Sequence, residues 1–312
     1  MSDEGATPAR RRALGPVAAL VAYLLLCPAI FVLGPLAGLL LISGPGTLRE
    51  WWWLAAALAW MAATLAQPGG ISVQILLAWG VFLTGAFLAL VVWRPRPWFT
   101  VALQATVVAW VSLSLVAWGL GLRWSEIELA VAHDGWEACR RLLGEGGLSS
   151  LMSPQRAAGL ATYVDAMANS VRLWANVYPA LLVLAGLPGL GLAWHWYHRI
   201  SSRPIGPAPS RFAAFRFNDH LVWGVVTAVG LIVLPIPEPG PSLGLNLALV
   251  LGGLYAARGA AVTWTSVSAI PGGGVLAVGL GMMLLPVALG GLVSLGLADT
   301  WVDFRRRLAP SH

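Results

Sequence analysis

Arg258 is the first residue to weigh, because it lies within Leu243 to Ser268, a run otherwise apolar enough to cross a bilayer. An ionisable group in such a run marks a functional position by default, and facing lipid at mid-span it would cost about 3 kcal/mol or more. It must turn to a cavity, a carboxylate or the interface. Two readings stay open. If the span ends near Thr263, Arg258 stands a turn or two from the headgroups and snorkels or makes a structural hydrogen bond. If it does not, the guanidinium is placed to contact an anion or a substrate. Asp299, Asp165 and Glu238 are the acidic residues from which a partner can come. Projected at about 100° per residue, Gly252, Ala256, Gly259 and Thr263 form a small-residue stripe suited to close helix contact. Arg258 falls on nearly the opposite side, with Leu251, Tyr255 and Val262, so packing and charge receive separate faces.

A second constellation is Asp165, Asn169, Arg172 and Asn176, whose spacing of four, three and four puts them on one helical face. Ser153 and Pro154 supply an N-cap and a first helical residue ahead of it. Ala157, Leu160, Ala161 and Val164 hold the opposite, apolar face. The polar stripe is either the wall of a water-entered cavity or the solvated face of an amphipathic helix. Asp165, Asn169 and Arg172 of this stripe, together with Arg258, Asn246, Tyr255 and Asp299, make up the candidate substrate-binding set. At the end of the chain Asp299 and Asp303 are four apart, and Arg305, Arg306 and Arg307 suit a juxtamembrane anchor.

No enzymatic pattern accompanies these residues. The chain has no His-Glu-x-x-His, no Gly-x-Ser-x-Gly, no glycine loop ending in Gly-Lys-Ser/Thr and no carboxylate cluster for two metals. His133, His195, His198 and His220 are scattered over belts and loops. Cys27 and Cys139 are too far apart in the chain to suggest a metal motif, and both read as small apolar residues. The expectation is a non-enzymatic protein without cofactor or metal.

The elements that position these residues are set by composition. Of 312 residues 58% are hydrophobic and 10% charged, with a mean hydropathy of +0.76. So few ionised groups cannot cover a water-facing surface, and the solvent for most of the chain is lipid. All 19 basic residues are arginine, and the formal net charge is +6. The arginines cluster at the ends of apolar runs, where headgroups account for them, and nucleic acid is not a partner.

Taking about 20 apolar residues per crossing, the chain is an all-α, polytopic helical bundle of about eight transmembrane helices in the inner (cytoplasmic) membrane. A cytoplasmic N-terminal tail, 1–13, precedes helices one to four over 14–122. The first, about Val17 to Ile42, carries Pro28 and Pro35, which should kink it. The second, opened by Trp51, Trp52 and Trp53, is short enough to be re-entrant. The third and fourth flank the rigid turn Trp93-Arg94-Pro95-Arg96-Pro97-Trp98. Residues 123–172 form a soluble or interfacial helical interlude, in which the helical period of Trp124 to Leu143 is interrupted by Asp134-Gly135. The fifth helix, 173–199, closes on an aromatic and basic belt, Trp194 to Arg199. A Pro- and Ser-containing linker, 200–217, follows. Asn218 or Asp219 then caps the sixth helix, and helices six to eight occupy 218–302 before a basic tail, 303–312. Eight crossings put both termini inside, although Arg94, Arg96, Arg199, Arg203, Arg211 and Arg216 then lie outside, against the positive-inside bias.

The C-terminal third carries a recognisable pattern: Phe212 to Trp223 ending in Asp-His-Leu-Val-Trp, Asn246 to Val262 with Leu-Gly-Gly-Leu-Tyr-Ala-Ala-Arg-Gly, and Leu295 to Arg305 with Leu-Gly-Leu-Ala-Asp-Thr-Trp-Val-Asp-Phe-Arg. Residues 212 to 307 resemble the YybS-like family of bacterial multi-spanning membrane proteins of unknown function. Members often carry an uncharged polar residue at the position of Arg258. In hydropathy that family is similar to the substrate-binding membrane subunits of energy-coupling-factor vitamin transporters. The resemblance implies a helical bundle that binds a small molecule. The alternative expectation is a membrane scaffold that recruits a protein partner through its small-residue helix faces and arginine-rich ends, in envelope or division processes.

Overall fold

The structure, a computed structural model, describes residues 19–25, 27–65, 69–143, 168–267, 274, 279, 281, 283–302 and 304. Among them every regular element is helical. They are α1 (Ile30–Ser43), α2 (Leu48–Leu65), α3 (Ile71–Trp93), α4 (Trp98–Gly119), α5 (Trp124–Leu143), α6 (Ala168–Ile200), α7 (Val222–Val233), α8 (Gly240–Val267) and α9 (Leu285–Val302). Short 3-10 turns, Phe212–Ala214 and Asp219–Leu221, lead into α7. The N-terminal tail, the stretch from 144 to 167 with Ser153, Pro154 and Asp165, and Asp303 with Arg305 to Arg307 lie outside the described residues.

Among the described residues five helices are long and apolar enough to cross a membrane: α3, α4, Ser170–Ile200 within α6, α8 and α9. The chain is therefore an all-helical, membrane-embedded protein. Helix α2 falls short of the five because four tryptophans and the adjacent Arg49 and Glu50 dilute its apolar run. Helix α1 and the stretch Asp219–Val233 are apolar but shorter.

Several boundaries differ from the expectation for physical reasons. Pro28 breaks its helix instead of bending it: residues 19–25 are helical, a turn follows, and α1 starts again at Ile30 with Pro35 inside it. Asp134-Gly135 does not interrupt Trp124 to Leu143, which is one continuous helix. In the aromatic stretch that closes α6, Trp194 and Tyr197 are fully buried among protein side chains, while His195 and Arg199 are exposed.

The chain divides into two compact units, the first of Met1–Arg172 with Ala185–Pro209, the second of Leu173–Leu184 with Ser210–His312. Two changes of unit fall within α6, after Arg172 and after Leu184, and the third follows Pro209, inside the proline-containing linker. In the first unit α1 packs on α2 and α3, and α3 on α4 and α5. Trp79 packs against Trp110 with the ring centroids 4.9 Å apart and the planes tilted by 40°, and Phe87 and Trp194 meet edge to face at 6.0 Å. Gly189 lets α6 approach so closely that a Cβ there would stand 2.8 Å from the Phe31 carbonyl oxygen. The Tyr23 hydroxyl donates to the Ala185 carbonyl at 2.8 Å.

Polar groups in this unit close off helix ends. Thr47 and Glu50 form a reciprocal N-terminal box at the head of α2, the Glu50 carboxylate accepting from Gly46 and Thr47 N–H at 2.7 and 2.9 Å. The backbone N–H of Ser202 donates to the other oxygen of Glu50 at 2.5 Å. These bonds hold the carboxyl down at about 2. Asp134 does the same in trans for α3, accepting from the N–H and the hydroxyl of Ser72, each at 2.8 Å.

In the second unit α8 packs on both α7 and α9. Pro241 and Pro286 stand in the first turns of α8 and α9, where a missing N–H costs nothing. The contact between α8 and α9 is main chain to main chain. A Cβ on Gly259 would lie 2.0 Å from the Leu292 carbonyl oxygen, and one on Gly296 would lie 1.9 Å from that of Tyr255. Only glycine fits at either place.

Candidate functional site

Arg258 and Asp299 are both fully buried, and they face each other across the contact between α8 and α9. The guanidinium Nε donates to Asp299 Oδ2 at 2.9 Å and one terminal nitrogen donates to the Asp299 carbonyl at 3.1 Å. The other terminal nitrogen donates to Asp219 Oδ1 at 2.7 Å. Asp219 differs from Asp299 in one respect that matters: its side chain is 55% exposed. The guanidinium also lies 5.3 Å from the ring of Phe217, whose edge packs on Tyr255 at 5.1 Å. Asp299 Oδ1 accepts from the N–H of Phe304 at the end of α9, which helps fix the carboxylate.

The expected separation of packing and charge does not hold. Gly259 is at the close contact, as its stripe predicts, but Arg258 reaches the same neighbouring helix. Consecutive helical residues are only about 100° apart, and a long side chain spans that angle. The Gly259–Gly296 contact brings the next turn of α9, with Asp299, beside Arg258. Gly252 has no close neighbour, a Cβ there meeting nothing within 4 Å, whereas Gly253 abuts Leu184.

Asp219 escaped the sequence reading as a partner because it was one of two residues that could cap the sixth helix. Asn218 takes that role, its side-chain oxygen accepting from His220 N–H at 3.0 Å. A carboxylate next to a competent cap has no capping work left, and that redundancy was the available signal. Phe217 carried no signal beyond its aromatic character.

The remaining candidates are placed differently. Tyr255 belongs to the Arg258 cluster, and its hydroxyl is buried near that of Thr300 without hydrogen-bond geometry to it. Asn246 stands twelve residues before Arg258, about 18 Å along the same helix. Its Oδ1 accepts from Ala180 N–H at 2.9 Å, and its Nδ2 donates to the carbonyls of Asn176 and Ser242, each at 2.9 Å. The amide thus bridges the N–H and the carbonyl that a regular helix pairs with each other, beside Pro179, which has no N–H of its own. Two carbonyls on one end of the amide and an N–H on the other leave a single sensible orientation. Arg172 is exposed, and Asp165 and the side chain of Asn169 lie outside the described residues.

Chemically, the cluster holds one cation between an inaccessible carboxylate and an accessible one. Among the described residues no group of His, Cys, Asp and Glu is arranged to hold a metal ion. Compared with models of known protein families, with curated proteins and with solved structures, the chain matches none.

Proposed function

We propose that this is a non-enzymatic, multi-pass protein of about eight crossings in the inner membrane of a bacterial cell. Its C-terminal unit binds a small anionic molecule at Arg258 as part of a transport process. The observation that carries this reading is the asymmetry of the two carboxylates. Asp299 neutralises Arg258 from the interior and accepts from the N–H of Phe304, whereas Asp219 holds a terminal nitrogen of the guanidinium with a side chain that is itself half-exposed. A ligand carboxylate or phosphate that takes the place of Asp219 leaves the charge balance of the cluster unchanged, and a planar guanidinium suits either group. The resemblance of residues 212 to 307 to the YybS-like family supports the same reading, because that stretch coincides with most of the second unit.

The test is native mass spectrometry of the protein purified in mild detergent. A small anion should co-purify, and Asp219→Asn should retain it more strongly by removing the competing carboxylate. The paired substitution Arg258→Leu with Asp299→Leu, which leaves neither buried charge alone, should abolish it. A folded paired variant that keeps the same adduct would rule out Arg258 as the site.

A second reading, the scaffold, draws on Gly85, Gly252, Gly290 and Gly291, where an added Cβ meets nothing within 4 Å. It calls for a protein partner seated on those faces and no small ligand in the same preparation.

A further inference from the structure

A separate groove lies in the first unit, where the turn Arg94-Pro95-Arg96-Pro97 joins α3 to α4. Its volume is about 500 Å³. Leu90 of α3 and Leu103, Val107 and Val108 of α4 form its apolar wall, with Val107 and Val108 64% and 45% exposed. Arg94 and Arg96 form its rim, both exposed, and no carboxylate lines it. Gln104 also lines it, an exposed amide on an apolar helix that is long enough to cross the membrane. The guanidinium of Arg94 lies 5.1 Å from the ring of Trp93, itself 72% exposed at the end of α3.

The polarity of this groove is graded along α4. The two cations stand at the turn, Gln104 lies about 9 Å beyond the start of the helix, and Val107 and Val108 lie about 14 and 15 Å beyond it. A phospholipid has the same order of groups: phosphate, ester carbonyls, acyl chain. We propose that the groove is a binding site for an anionic phospholipid, with its phosphate on Arg94 and Arg96, its glycerol esters at Gln104 and an acyl chain along Val107 and Val108. Charge complementarity selects an anionic lipid over a zwitterionic one, since two cations stand at the rim without a carboxylate in the lining. The apolar wall selects a lipid over a free anion, which has no use for it. This site is independent of Arg258.

The full chain, delipidated in detergent, is titrated with phosphatidylglycerol and with phosphatidylcholine, and the bound lipid is read by native mass spectrometry. Wild type should prefer phosphatidylglycerol. The double variant Arg94→Gln, Arg96→Gln should bind it roughly 30-fold more weakly, the effect of two cations near a headgroup. Val107→Trp, which fills the groove and leaves the charges in place, should weaken both lipids. Both variants change exposed side chains, and helical circular dichroism equal to wild type certifies their fold. The proposal is overturned if wild type binds the two lipids alike, or if the arginine variant retains the preference. It is equally overturned if Val107→Trp has no effect, or if millimolar inorganic phosphate displaces phosphatidylglycerol.

Discussion

The two units use carboxylates in opposite ways. In the first, Glu50 and Asp134 are satisfied by N–H groups and a hydroxyl at helix ends, and among the described residues neither forms an ion pair. In the second, Asp299 and the half-exposed Asp219 close on a fully buried guanidinium. A capping carboxylate fastens chain to chain and has little to offer a ligand. A carboxylate that balances a buried cation can be replaced by any anion of the right shape. The contrast separates groups that build the architecture from groups that can change partners.

The sharpest way to break the contrast is Asp299→Ala, which strands Arg258 in the interior. It should cost about 3–5 kcal/mol, as removing one member of a buried ion pair does, and appear as a large drop in the detergent melting temperature. Arg258→Met combined with Asp299→Leu should recover most of that loss. Gly296→Ala comes next. Its methyl must push against the Tyr255 carbonyl, at a cost of about 3 kcal/mol, while Gly252→Ala, with open space beside it, should be neutral or slightly stabilising. Asn246→Ala should cost about 2 kcal/mol by leaving backbone groups at Pro179 without their bridge, and amide exchange should rise at Ala180 in particular.

The smallest effect at neutral pH belongs to Glu50→Gln, and its signature is a pH dependence. The folded-state carboxyl sits at about 2, below the usual unfolded value of about 4.3. Its contribution is therefore complete above that unfolded value and is lost as the pH falls toward 2. Wild type should lose thermal stability across this window, and the Gln variant should lose less. Equal acid sensitivity of the two proteins would show that Glu50 is not held by its N–H donors.

Much of the architecture was legible because lipid imposes a crude rule: long apolar runs must be helices. That rule located α3, α4, α6, α8 and α9. It could not distinguish Trp194 and Tyr197 in a protein core from the same residues at headgroups, since both settings favour amphipathic rings. It also left the count open where runs are short, as at α1 and Asp219–Val233. At the candidate site Arg258 stood out as an isolated charge, and Asp299 was among its possible partners. Asp219 and Phe217 were not legible, because their approach depends on how the chain before α7 folds back to α8. The helical projection misjudged Arg258 by treating a side chain as a direction without length.

The burial of Arg258 also bears on how the chain enters the membrane. During synthesis Asp219 emerges before Arg258, and Asp299 emerges only after it. Helix α8 therefore reaches the bilayer with a water-exposed partner for its guanidinium and no interior one. An arginine within an apolar span resists insertion, by up to about 2.5–3.5 kcal/mol at the centre, and the interior carboxylate that offsets this cost comes with α9. The last two helices are thus coupled in biogenesis: α8 settles at depth when the chain behind it has been made.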